Sequence, residues 1–153
     1  MRRWILLLGG LLLLGWFSPV RGTDVGELQP VELVQLYREG AEIVLSTDTS
    51  DMGAGATLRE AVRNLKATTA GTVFLETADY VLITPEMEEL VGELGEYLRP
   101  GIEICIISCI TDPKEAARYL SAHHPGVTLR SVRYGKGIPP HLSVTEGRFE
   151  LEK

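Results

Sequence analysis

Cysteine is almost absent from this chain. Cys105 and Cys109 are the only two in 153 residues, too few for a disulfide framework. Both fall in residues 103–110, Glu-Ile-Cys-Ile-Ile-Ser-Cys-Ile, an apolar run that reads as a buried strand. Four apart on a strand, they would sit roughly 13 Å from each other, beyond the ~7 Å that a disulfide allows. The expectation is two reduced thiols, both buried as small core residues. Positive charge is also scarce: 15 Lys and Arg face 21 Asp and Glu, a formal net charge of −6. Such a surface repels phosphate backbones and anionic headgroups, which excludes nucleic acid as a partner and argues against docking on anionic lipid. Internal repeats and low-complexity tracts are missing as well, and the length fits one domain with a core of its own.

What is present begins with a strongly patterned N-terminus. Arg2 and Arg3 precede an uncharged apolar run over residues 4–17, and Ser18-Pro19-Val20-Arg21-Gly22 follows. This is the layout of a secretory signal peptide, with Val20 and Gly22 as the small residues before the cleavage point. The run is shorter than the about 20 apolar residues of a lasting membrane span. Two fates are open: residues 1–22 are removed, or they stay as an N-terminal anchor. No cysteine lies near the junction, which closes the lipoprotein route. Removal takes away Arg2, Arg3 and Arg21 and no acid, moving the net charge from −6 to −9. Residues 23–29 are polar and read as a linker, so the folded domain is expected over 30–153.

Local patterns give that domain an α/β reading: a mixed β-sheet packed by about three helices, behind the N-terminal signal helix. Residues 30–36 and 42–48 are apolar-rich around Arg38-Glu39-Gly40 and predict a β-hairpin. Residues 50–56, with two glycines among small residues, predict a loop. Thr57-Leu58-Arg59-Glu60 has capping-box spacing, with Thr57 as N-cap and Glu60 reaching back to the N-cap amide. The helix behind it places Leu58, Ala61, Val62 and Leu65 on one face. Residues 72–75 and 80–83 are strand-like, either one bulged strand or two short ones. Thr84-Pro85 starts a second helix with Met87, Leu90, Val91, Leu94 and Leu98 at helical spacing. Asp112-Pro113 starts a third that offers Ala116, Ala117, Leu120 and Ala122 for packing. Residues 127–134 and 141–151 have strand character, the latter with a turn at Glu146-Gly147. The strand–helix–strand unit over residues 80–110 is expected to be parallel and right-handed.

Chemistry-bearing residues are few and scattered. His123 and His124 point about 100° apart on a helix, poorly placed to chelate one metal, and imidazoles suit a helix C-terminus. His141 follows two prolines and has no partner in sequence. The segment Gly53-Ala54-Gly55-Ala56-Thr57 precedes a helix but lacks the lysine of a phosphate loop. Ser108 has no nucleophile elbow around it. Asp48, Asp51 and Asp79 suit turns, where carboxylates bond backbone amides, and Asp48-Thr49-Ser50-Asp51 is too sparse for a Ca²⁺ loop. No residue is assigned a catalytic, cofactor-binding or metal-binding role.

One stretch carries a family likeness. Gly55-Ala56-Thr57-Leu58-Arg59-Glu60-Ala61-Val62-Arg63-Asn64-Leu65, followed by Val73-Phe74-Leu75 and Tyr80-Val81-Leu82-Ile83-Thr84, resembles the N-terminal domain of the Ger(x)C family. These are the lipoprotein C subunits of bacterial spore germinant receptors. That domain has a Gly-x-Thr-x-x-Glu-Ala helix start, an apolar strand, a second apolar run and another helix. The likeness spans about residues 31–120. The chain departs from the family in having no lipobox cysteine, Thr77 where a histidine is usual, and none of the later domains. The resemblance implies an export-dependent, non-enzymatic role in or near the spore envelope of an endospore-forming bacterium.

The expected function is therefore an exported interaction module related to spore germination. Its partners would be proteins at the membrane or spore envelope, and membrane contact would come only through an uncleaved N-terminal segment. An unrelated extracytoplasmic ligand-binding domain and a small hydrolase without a recognisable motif are the alternatives. The export reading predicts a mature N-terminus at Thr23. N-terminal sequencing of the protein from its native host checks this, and an intact Met1 in the membrane fraction would show an anchor instead.

Overall fold

Strands covered on both faces need apolar residues at consecutive positions, not at every second one. Leu33-Val34-Gln35-Leu36-Tyr37, Tyr80-Val81-Leu82-Ile83 and Ile104-Cys105-Ile106-Ile107 have that pattern, interrupted only at Gln35, and all are buried. The computed structural model describes residues 28–152; residues 1–22, read as a signal peptide, lie outside them. Its strands are β1 (Leu28–Pro30), β2 (Leu33–Glu39), β3 (Glu42–Thr47), β4 (Met52–Gly55), β5 (Thr72–Phe74), β6 (Tyr80–Ile83), β7 (Glu103–Ile107), β8 (His141–Thr145) and β9 (Arg148–Glu152). Among the described residues four α-helices accompany them: α1 (Leu58–Thr68), α2 (Val91–Leu94), α3 (Pro113–Ala122) and α4 (Leu129–Arg133). The chain is mixed α/β, with a seven-stranded mixed sheet in the order β4-β3-β2-β6-β7-β8-β9 and a small parallel pair, β1-β5. β1 begins inside the segment read as a linker.

The register of the middle strands decides where side chains go. Val34 lies beside Val81, and Val81 beside Ile104; Leu36, Ile83 and Ile106 form the next such row. These residues face a core built with α1, α2 and Leu129 of α4. The intervening residues Leu33, Tyr80, Leu82, Cys105 and Ile107 point the other way, into a second core closed by Ala116, Ala117 and Leu120 of α3. Helices thus cover both faces. β6 and β7 are parallel, as the sequence predicts.

The opening hairpin is β2 with β3, joined by Gly40-Ala41. Gly40 has φ +60°, the conformation that a two-residue turn of type II′ demands at its first central position. A second hairpin, β8 with β9, turns through Glu146 (φ 53°) and Gly147 (φ 75°), the type I′ pattern.

Residues 50–56 depart from the expected loop. Met52–Gly55 is β4, an edge strand paired antiparallel to β3. Its glycines are there for closeness, not for flexibility. A Cβ on Gly53 would collide with the backbone of Ala61 and Leu65, and one on Gly55 would come within 2.5 Å of Glu60 Cβ. Helix α1 therefore lies directly on β4, burying Leu58, Ala61, Val62 and Leu65. Full burial of each such leucine contributes roughly 1.5–3 kcal/mol as an upper estimate. The N-cap is Thr57, whose hydroxyl accepts from Glu60 N–H at 3.2 Å. The reciprocal arm differs from the expectation: Glu60 Oε2 accepts from the amide of Ala56, not from that of Thr57 (3.1 Å).

The two strand-like runs after α1 are two strands in different sheets, β5 and β6, separated by a 3₁₀ turn over Leu75–Thr77. The second predicted helix opens as a 3₁₀ segment, Pro85–Leu90, before the single α-turn of α2. Gly92 and Gly95 lower helix propensity here. Thr84 does not cap through its side chain; its hydroxyl donates to Glu86 Oε1 at 2.6 Å. Residues 127–134, read as a strand, form α4 instead. Thr128 and Ser131 make a reciprocal capping box, and only a single bridge from Glu103 to Thr128 remains strand-like. Among the described residues the α-helices are accordingly four rather than three. Ala122, expected to pack, is exposed.

Gly53→Ala should cost about 1–3 kcal/mol or more, because the clash is with helix backbone that cannot swing aside. Gly92→Ala, with open space around its Cβ position, should be neutral or stabilise by up to about 1 kcal/mol. Urea unfolding of the two variants separates these outcomes.

Candidate functional site

The best-defined polar cluster sits where β6 and β7 begin. Their register sets Tyr80 beside Glu103. Beyond the end of α3, His124 approaches from above: its Nδ1 is 3.1 Å from the Tyr80 hydroxyl and 3.8 Å from Glu103 Oε2. The second contact becomes an ion pair when the ring carries two protons. Glu103 Oε2 also accepts from Gly126 N–H at 3.2 Å, which ties the α3–α4 connection to β7. Arg99 closes the other side, pairing with Asp79 and donating from Nε to the Ala78 carbonyl at 2.9 Å. Together with Gly101 these residues line a shallow cavity of about 220 Å³.

The surroundings of Tyr80 keep its hydroxyl available for hydrogen bonding. Burial, together with the Glu103, Asp79 and Glu32 carboxylates, pushes the Tyr80 hydroxyl above its ordinary value. The phenol therefore stays protonated at neutral pH, and the cavity presents donors and acceptors for a small polar group. Sequence reasoning singled out Asp79 and His124 but missed Tyr80, Arg99 and Glu103. Nothing in their spacing announces that strand register and a helix end converge there.

Most of the other residues weighed in the sequence have structural work. His123 caps α3, its Nδ1 3.1 Å from the Tyr119 carbonyl and its ring stacked on that of Tyr119 at 4.3 Å. Asp48 accepts from the amides of Glu32 and Leu33 (3.0 and 3.1 Å), holding the start of β2. Asp51 accepts from the Thr49 hydroxyl at 2.7 Å, inside a turn organised around buried Thr47. Thr77 bonds both the amide and the carbonyl of Val31. His141 is exposed on β8, with its backbone next to Ile106. The glycine-rich segment before α1 is packing surface. Among the described residues, no group of three or more His, Cys, Asp or Glu could hold a metal ion.

The cysteines divide. Cys105 is fully buried in β7, as expected. Cys109 is exposed, against the expectation, because β7 ends at Ile107 and the chain turns out through Ser108, Cys109 and Ile110. Ile110 is 57% exposed, so the apolar run continues past the strand that it seemed to define. Buried Gln35 holds the far side of this turn: with its amide oriented to suit, Nε2 donates to the Thr111 carbonyl (3.0 Å) and Oε1 accepts from the Thr111 N–H (3.2 Å).

No family model, curated protein or solved structure matches this chain.

Burial raises the Cys105 thiol from its ordinary 9.0 to about 12, with the Glu103 carboxylate adding to the shift. In native buffer Cys109 should react with a maleimide, while Cys105 should react only after unfolding in urea. Above pH ~9 the unfolded chain releases a thiol proton that the folded chain keeps, so stability is lost as pH rises toward about 12. The raised Tyr37 and Tyr80 hydroxyls act in the same direction. Urea midpoints measured across that window should fall less in Cys105→Ala than in the parent chain. Cys105→Ser should cost about 1–3 kcal/mol, from a hydroxyl placed among apolar neighbours.

Proposed function

We propose that this chain is an exported, non-enzymatic interaction module of the spore envelope, related to the N-terminal domain of germinant-receptor C subunits. The observation that carries the reading is how the residues behind the resemblance work together. Gly55 gives α1 its close seat, Thr57 and Glu60 cap it, and Ala61 is the small residue at the helix–sheet contact. Tyr80–Ile83 then supplies the middle strand of the sheet. A Gly-x-Thr-x-x-Glu-Ala start followed by an apolar strand thus works as a coherent packing unit in this chain, which supports the reading. The binding role draws support from where the polar side chains are engaged. Gln35, Asp48, Thr47 and Thr77 hold backbone, which suits a rigid platform that presents its surface to other proteins.

Deletion of the gene in a spore-forming host should slow the germination response to nutrients. The full chain used as bait on detergent-solubilised spore membranes should recover germinant-receptor subunits. Unaltered germination kinetics together with no receptor subunit on the bait would overturn the reading.

A further inference from the structure

Net charge hides a segregation along the chain. Between Glu115 and Glu146 there is no Asp or Glu, in a sequence that carries 21 of them. The segment from α4 to β8 gathers Arg130, Arg133 and Lys136 there, all exposed. Among the described residues none of the three makes an ion pair. Among the described residues, two of the four large hydrophobic side chains that stand out in water lie between and beside these cations: Tyr134 at 70% and Ile138 at 87% exposure. The segment therefore presents cations, a tyrosine and a protruding isoleucine together. Shallow cavities run along it, one lined by Pro100, Arg130, Arg133 and Tyr134. The guanidinium of Arg133 lies over Gly95, where a Cβ would collide with it. Glu88, across a neighbouring cavity from Arg133, bounds the surface on that side.

We infer that this surface docks on an anionic phospholipid bilayer. Arg130, Arg133 and Lys136 would face headgroup phosphates, Tyr134 would lie at the interface and Ile138 would insert. Charge complementarity selects the anionic partner, since juxtamembrane cations are drawn to anionic leaflets and tyrosine favours the membrane–water boundary. Shape selects lipid over an acidic polypeptide. At 87% exposure Ile138 stands out into solvent, and a deformable interface accepts a protruding side chain that a rigid partner would have to accommodate with a matching pocket. Acidic charges farther than about 8 Å are largely screened at physiological ionic strength and do not cancel the attraction. This departs from the expectation drawn from net charge. It is independent of the germination reading and would hold for any host membrane with anionic lipid.

The test uses the full chain carrying Cys109→Ser and Ile138→Cys, with an environment-sensitive fluorophore on the new thiol; buried Cys105 stays unlabelled. Vesicles of phosphatidylglycerol mixed with phosphatidylcholine should shift the emission to the blue and raise its intensity, whereas phosphatidylcholine alone should not. The shift should disappear in 1 M salt, where the screening length is about 3 Å, and in a chain that also carries Arg130→Glu, Arg133→Glu and Lys136→Glu. Persistence of Cys105 protection from maleimide shows that this chain is folded. A fluorophore on Ser121→Cys of α3 should report water throughout. Because the fluorophore reads its own surroundings, insertion of the N-terminal segment does not mimic the result. Emission that stays aqueous on both vesicles, or shifts equally on both, would overturn the proposal. So would a shift produced by polyglutamate and not by vesicles, which would assign the surface to an acidic polypeptide.

Discussion

The alignment of β2, β6 and β7 is the constraint on which everything else rests. Once Val34, Val81 and Ile104 share a row, each neighbouring residue must face the opposite side of the sheet. The sheet then has two apolar faces, and neither can be left to water. One is met by α1, α2 and α4, the other by α3. The same alignment buries Cys105 next to Leu82 and brings Tyr80 to Glu103. A slip of one residue would exchange the two cores and bring Glu103 to the side of the sheet that now takes Ile104. Burial on both faces thus specifies this register far more strongly than a one-sided sheet would.

Closeness is the second organising device. Along β4 the glycines let the α1 backbone settle against the strand, and this contact extends the first core to the edge of the sheet. Asn64 adds a side-chain bond to the Ala54 carbonyl at 2.7 Å, and the Thr68 hydroxyl reaches the Met52 carbonyl at 3.2 Å. Helix α1 therefore occupies backbone acceptors on the edge strand that would otherwise be open to pairing with another chain, one of the ways in which edge strands are kept from aggregating.

Much of this was legible in the sequence wherever a local rule sufficed. Thr57 and Asp112 announced helices because a cap is a short-range bond, and Gly40 and Glu146-Gly147 announced turns because backbone conformation is local. The parallel β6–β7 pair followed from apolar runs flanking a helical segment. What failed depended on distant neighbours. Gly53 and Gly55 looked like loop residues because only the helix lying on them gives their smallness a purpose. Residues 127–134 alternate enough to suggest a strand, but the Thr128–Ser131 box wins once β8 pairs with β7 only at Ile106 and Ile107. Cys109 seemed buried because the apolar run does not stop where the strand stops. The cluster of Tyr80, Glu103 and His124 was invisible for the same reason, since its members are 44 residues apart at the widest.

The side chain of Gln35 offers Thr111 one donor and one acceptor, the same pair that a neighbouring peptide group would present. The glutamine thus acts as a rung of sheet turned out of plane, catching the chain as it leaves β7 and setting where α3 begins. Such mimicry narrows what evolution can place there. A leucine would fill the space and leave both Thr111 groups without partners; a glutamate would meet the carbonyl with a like partial charge; an asparagine carries the right groups on too short a stem. Amid two cores that can exchange one aliphatic residue for another, this position has almost no synonyms. Sequence drift in the domain should flow around it.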